Sequence, residues 1–343
     1  MLDNFLAELK NFILPLLNNV TMPTLPPAEA LLACAVTAVL VSFVIVGSFG
    51  PFFAIASEAI SIRTKRGFFA RAASQITQMT LTIGIIAAFS IGGLVAWAIM
   101  KDPAILNDTN LLAAPFLLPL AVSGGALLAA ILLLAVYLAV RPQKGLAGPG
   151  HLIVGILASL CAAFSFFCCI GVVRRLLHSP PDGDMTLPWM PQLLQFFSIP
   201  ADSFFWPLLI QSIPLGLAFA AAFACIWLLL MRGKQDYGRD YYTFALPYCA
   251  RWAAGFTLLA VCAGVYVFHE SRAIMLPELS NEPSLLLDGL TAGLPLLAGL
   301  IWLLIARSAH PMRHKISVTL ACIFLLTGFM GQVLMLNNII PSP

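Results

Sequence analysis

The sequence predicts an all-α integral membrane protein that crosses the bilayer eight times, and three observations carry that expectation. Of its 343 residues, 60% are hydrophobic and only 10% are charged, against about a quarter charged in ordinary soluble domains. Eight apolar runs approach or exceed twenty residues, enough at a helical rise of about 1.5 Å per residue to cross a hydrocarbon layer about 30 Å thick. None of the runs alternates polar and apolar residues with a period of two, as a barrel strand would, so each satisfies its backbone hydrogen bonds as a helix.

The chain opens with "MLDNFLAELKNFILPLLNNV", which has apolar residues at helical spacing and a sparse polar face. It has no basic leader and no small-residue cleavage site, so residues 1–27 are expected to form a helix lying on the outer membrane surface. Spans at 31–55, 76–100, 111–140 and 152–173 make a first four-helix unit over 28–175. Residues 176–203 are an outer linker with a proline-rich start, followed by a Trp189, Leu193, Leu194, Phe197 stripe that predicts a short interfacial helix. Spans at 204–231, 252–268, 285–306 and 316–336 make a second unit over 204–343.

Pro115, Pro119, Pro207, Pro214 and Pro295 are expected to kink spans. The stretches "SIGGLVAWA", "VSGGALLAA" and "AGLPLLAGL" are expected to let helices approach closely, and Gln78, Ser90, Gln211 and Gln332 to join helices by hydrogen bonds. Seven of the eight cysteines fall inside apolar runs, where a thiol behaves as a small hydrophobe. Adjacent Cys168 and Cys169 point about 100° apart on a helix and make no metal clamp, so no metal site is expected. The net charge of +3 is spread over the loops and implies no nucleic-acid partner; the partner it implies is the lipid bilayer.

Orientation follows from the basic residues. Thirteen of the eighteen Lys and Arg residues fall in the connections 1/2, 3/4, 5/6 and 7/8, and five on the opposite face. The excess marks the inner side and places both termini outside, in the periplasm for a bacterial inner membrane. Arg66, Arg232, Arg239, Tyr241 and Tyr242 are expected to anchor the inner corners at headgroup level.

The two units carry a repeated signature. Arg66-Gly67-Phe68-Phe69 aligns with Arg239-Asp240-Tyr241-Tyr242 at an offset of 173, and the last basic loop of each unit delivers a histidine, His151 or His314, to the inner end of its fourth helix. Four helices is an even number, so both copies enter the membrane the same way up, related by an axis along the membrane normal.

The stretch "AFACIWLLLMRGKQDYGRDYYTFALPYCARWAAGF" resembles the helix 5 to helix 6 corner of cytochrome bd quinol oxidase subunit I. "SEAISIRTKRGFFARAASQ" is similar to that family's helix 1 to helix 2 corner, with Glu58 where the family has a glutamate before a basic turn. The resemblance implies a membrane subunit of a respiratory electron-transfer complex that exchanges electrons with quinol near the outer face or anchors another membrane or periplasmic redox subunit. Quinone is the cofactor it implies. Haem b is not supported by ligand positions: the family's histidine in helix 1 has no counterpart here, Gln211 stands where another is expected, and the long quinol loop is reduced to "HESRAIMLPELSNEPS". The implied protein is a divergent member without the full haem set. A permease or channel for a small or apolar solute, and a structural subunit, are the alternatives.

Quinol oxidation needs proton acceptors near the site of electron loss. His269, Glu270 and Arg272 close the sixth span on the outer side, with Asp288 just beyond, and are the candidate quinol-binding residues. His151, His314 and His178 are candidate haem ligands, since paired imidazoles at similar depth are what a bis-histidine haem requires. The plain alternative for each is an interfacial histidine meeting lipid headgroups. Mid-span charge is nearly absent, with Glu29 and Glu58 near the ends of the first helix, which counts against an ion-coupled carrier.

Overall fold

The computed structural model describes residues 28–101, 117–140, 149–177, 197–201, 203, 205–235, 237–274 and 289–339. Eight long helices account for nearly all of these: α1 (Ala28–Thr64), α2 (Gly67–Lys101), α3 (Leu117–Ala139), α4 (Pro149–Leu177), α5 (Phe205–Met231), α6 (Arg239–Ile274), α7 (Leu294–Arg307) and α8 (Lys315–Ile339). A π turn, Gly289–Gly293, leads into α7, and a 3-10 turn, Pro311–Arg313, joins α7 to α8. All eight are long and apolar enough to cross a membrane, the seventh when α7 is counted together with the π turn as Leu290–Arg307. The surface helix expected over 1–27 and most of the 176–203 linker lie outside the described residues.

α1 and α5 form the centre. α1 packs on α2, α4 and α5 and touches α8; α5 packs on α6 and α1 and touches α2, α4 and α8. Small residues set these approaches. A side chain at Gly50 would collide with Thr80 of α2, and one at Gly216 of α5 with the ring of Phe49. In two of the three glycine-rich stretches expected to do this the glycines themselves, Gly92, Gly93, Gly124 and Gly125, meet nothing, although Ser123, Leu127 and Ala130 of the second stretch are buried. A glycine in an apolar helix permits contact, but which helix face meets a neighbour is decided by the whole bundle.

Three helices are the longest, well beyond what the hydrocarbon requires. α1, α2 and α6 have 37, 35 and 36 residues, about 50 to 55 Å each, whereas the 23 residues of α3 span about 35 Å. The spans expected at 31–55 and 252–268 are therefore extended by several turns. Arg251, expected in a loop, sits three turns inside α6. The hydrogen bond between Ser57 Oγ and Tyr248 Oη, 2.9 Å, fixes the level of α6 against α1. Beyond it α6 continues for nine residues to Arg239, about 14 Å.

The α1/α2 and α5/α6 corners therefore meet at one end of the bundle. Phe68 lies 5.5 Å from Phe244, and Phe69 lies 4.9 Å from Phe244 and 5.2 Å from Tyr248, ring centre to ring centre. This contact corrects the expectation for two of the anchors. Tyr241 and Tyr242 are 0% and 2% exposed, so they bind helix to helix instead of sitting among headgroups. Tyr241 Oη donates to Gln75 Oε1 at 2.8 Å, and Tyr242 Oη donates to the Gln235 carbonyl. Gln75 Nε2 donates to Gln235 Oε1 at 3.0 Å, and Gln235 Nε2 to Gln78 Oε1 at 3.3 Å. Arg66, Arg232 and Arg239 are exposed, as an anchor requires.

The prolines divide in the same way. Pro119 and Pro207 stand in the first turns of α3 and α5, where no intrahelical N–H is lost, whereas Pro295 follows directly on the π turn, inside one continuous helical run. Pro214 is interior, together with Pro51 and Pro247; Pro115 lies outside the described residues.

Candidate functional site

The most concentrated chemistry lies where α1, α3 and α4 converge near the corner end. Glu58 is six residues before the end of α1, Tyr137 two before the end of α3, and His151 in the first turn of α4. Each comes from an apolar helix whose other residues face lipid or core, so the three polar side chains turn towards one another. Glu58, Tyr137 and His151 are 5%, 2% and 7% exposed. His151 Nδ1 lies 2.8 Å from Glu58 Oε1, Tyr137 Oη donates to Glu58 Oε2, and His151 Nε2 lies 2.8 Å from the Tyr137 carbonyl oxygen. The imidazole also lies against the phenol ring, 3.9 Å between centres.

The proton count follows from the partners. A carbonyl oxygen only accepts, so Nε2 carries a hydrogen. Oε2 already accepts from Tyr137, which leaves one proton between Oε1 and Nδ1. Located on nitrogen, it gives an imidazolium beside a carboxylate; located on oxygen, it gives a neutral imidazole beside a carboxylic acid. The net charge is zero in both cases, which is what lets a titratable pair persist away from water. Gly155 on α4 permits the packing: a side chain there would fall about 3 Å from Ile55 and Tyr137.

The sequence-predicted residues are distributed differently. His151 is not an interfacial histidine meeting headgroups; it is buried and paired. His314 is half-buried, and its Nε2 lies 2.9 Å from Ser308 Oγ. His178 and Asp288 lie outside the described residues, and His269, Glu270 and Arg272 lie on the last turns of α6, where only the backbone is described. Tyr137 was missed. Its signal, one phenol in the aliphatic run "ILLLAVYLAV", takes on meaning only once Glu58 is known to face it.

The groups expected to join helices act in part. Gln78 joins the network at the corners, Gln211 is buried against Gly264, and Ser90 bonds only within α2. Ser123 and Ser165 do more: each hydroxyl donates to the other's carbonyl, at 2.9 and 2.8 Å, stitching α3 to α4.

Haem fits these residues poorly. α1 contains no histidine, Gln211 is an amide, and both ring nitrogens of His151 are already bonded. Among the described residues no three His, Cys, Asp or Glu side chains gather as a metal ion would require. No step is therefore assigned to haem or a metal.

No protein-family model matches the sequence, and no curated protein matches it. The fold, however, is similar to a chain in the structure of the bd oxidase from Geobacillus thermodenitrificans, with a TM-score of 0.65 and 11% identity, over 90% of this chain and 85% of that one. At that identity the likeness is one of fold: this chain is a multi-pass helical membrane protein with a bd-oxidase-like arrangement of helices.

Proposed function

We propose that the chain is an integral membrane subunit of a respiratory electron-transfer complex in a bacterial inner membrane, that it exchanges electrons with quinol, and that both its termini lie outside. The observation that carries the proposal is the buried Glu58–His151–Tyr137 cluster, a proton-holding group within a bd-oxidase-like fold. Ionisable residues inside membrane helices are costly and are usually functional.

Oxidising a quinol releases two electrons and two protons. His269 and Glu270 at the far end of α6 supply acceptors for the protons, with Arg272 and Asp288 beside the headgroup of the quinol. The electrons pass to the redox centre of a partner subunit. Glu58 and His151, at the corner end, hold a proton on the opposite side of the bilayer. The excess of Lys and Arg at the corners supports that side being the inner one.

The test is extraction of quinone from the purified protein, with a reduced-minus-oxidised absorption spectrum of the same sample. The expected result is co-purifying quinone and no Soret or α band from this chain alone. A sample free of quinone, in vesicles that accumulate a solute, would favour a permease instead.

A further inference from the structure

α6 and α7 leave an open cleft of about 530 Å³ between them near the corner end. Its lining divides by chemistry. Arg251 of α6 and Arg307 at the end of α7 supply guanidinium donors, the hydroxyls of Thr243 and Ser308 beside them being engaged by the Asp240 carbonyl and His314 Nε2, while Phe244, Pro247 and Leu303 make an apolar wall. No carboxylate lines it. Both arginines are exposed, and among the described residues neither has an ion-pair partner.

The depth of the cleft selects its occupant. Arg251 is one helical turn from Tyr248, whose hydroxyl bonds Ser57 beside Glu58. The arginines therefore stand near the level where α3 ends and the apolar spans give way to charge. Two unpaired guanidinium groups on different helices present fork-shaped donors to a phosphate. The apolar wall beside them has no use for a free inorganic ion but suits an acyl chain. A zwitterionic headgroup brings its own cation, which these two positive charges repel. Basic pockets between transmembrane helices are a recurrent setting for anionic lipid headgroups.

We infer that this cleft is a binding site for the phosphate headgroup of an anionic phospholipid, held by Arg251 and Arg307 with its acyl chain along the wall formed by Phe244, Pro247 and Leu303. The site does not depend on quinol chemistry.

Native mass spectrometry of the full chain, delipidated in neutral detergent and titrated with phosphatidylglycerol, phosphatidylcholine or inorganic phosphate, tests the assignment. Phosphatidylglycerol is expected to be retained at least ten-fold better than phosphatidylcholine. R251Q/R307Q should reduce retention to the phosphatidylcholine level, and R232Q/R239Q, which removes two exposed corner arginines outside the cleft, should leave it unchanged. L303W fills the wall with both arginines intact and should weaken phosphatidylglycerol several-fold, which keeps the test open if the double variant does not fold. Equal retention of the two lipids, undiminished phosphatidylglycerol binding in R251Q/R307Q or L303W, or displacement of the lipid by equimolar inorganic phosphate would each overturn it.

Discussion

The two halves of the chain share a corner and differ in what lies beneath it. In each, the residue before the aligned arginine adopts the left-handed backbone region: Lys65 at φ 56° before Arg66, and Gly238 at φ 84° before Arg239. The offset is again 173, the one at which the two corner sequences align. Below the corners the likeness ends. The position equivalent to Glu58 is Met231, and the second half's histidine, His314, reaches only the hydroxyl of Ser308. The first half thus holds a buried proton-holding cluster, and the second presents a cleft lined by arginines.

Breaking the cluster should therefore cost the first half far more than any matching change costs the second. Glu58→Leu leaves His151 Nδ1 and the Tyr137 hydroxyl without their partner, and is expected to destabilise the protein by about 3–5 kcal/mol, measured as loss of thermal stability in detergent. Glu58→Gln should be much milder. A glutamine amide can donate to Nδ1 of a neutral His151 and accept from Tyr137, so every bond survives and only the mobile proton is lost.

Next in size is the joint between the halves. Gln75→Leu removes the acceptor of the fully buried Tyr241 hydroxyl and should cost about 1–3 kcal/mol, read by the same melts. The corners come third, with opposite signs expected. Gly238→Ala should destabilise by about 1 kcal/mol, since a Cβ disfavours the left-handed region, whereas Lys65→Gly should stabilise or be neutral. Equal costs at both corners would contradict their shared geometry. The smallest effect is expected at His314→Ala, within about 0.5 kcal/mol, because that imidazole is half-buried and bonds a single hydroxyl.

The number of spans and the placing of both corners at one end of the bundle were legible in the sequence, because the length of an apolar run is a one-dimensional property and basic residues mark the ends of spans. The inner boundaries were not. Tyr241 and Tyr242 look like headgroup anchors until the overlong α6 is seen to carry them beyond the end of α3, where Tyr241 packs on Phe68 and Tyr242 on Tyr241. Glu58 and His151 were each noticed alone, one from the family resemblance and one as a boundary histidine. Their partnership depends on how α4 leans on α1, a tertiary fact with no sequence period. The unused glycines of "VSGGALLAA" teach the converse: a motif that permits contact does not specify it.

The most direct test is an infrared difference spectrum between the quinone-reduced and quinone-oxidised states of the purified protein, recorded for the wild type and for Glu270→Gln, the carboxylate proposed to accept a quinol proton. The account predicts a carboxyl signal that changes with the redox state of the quinone and disappears in the variant. Identical difference spectra for the two proteins would contradict it.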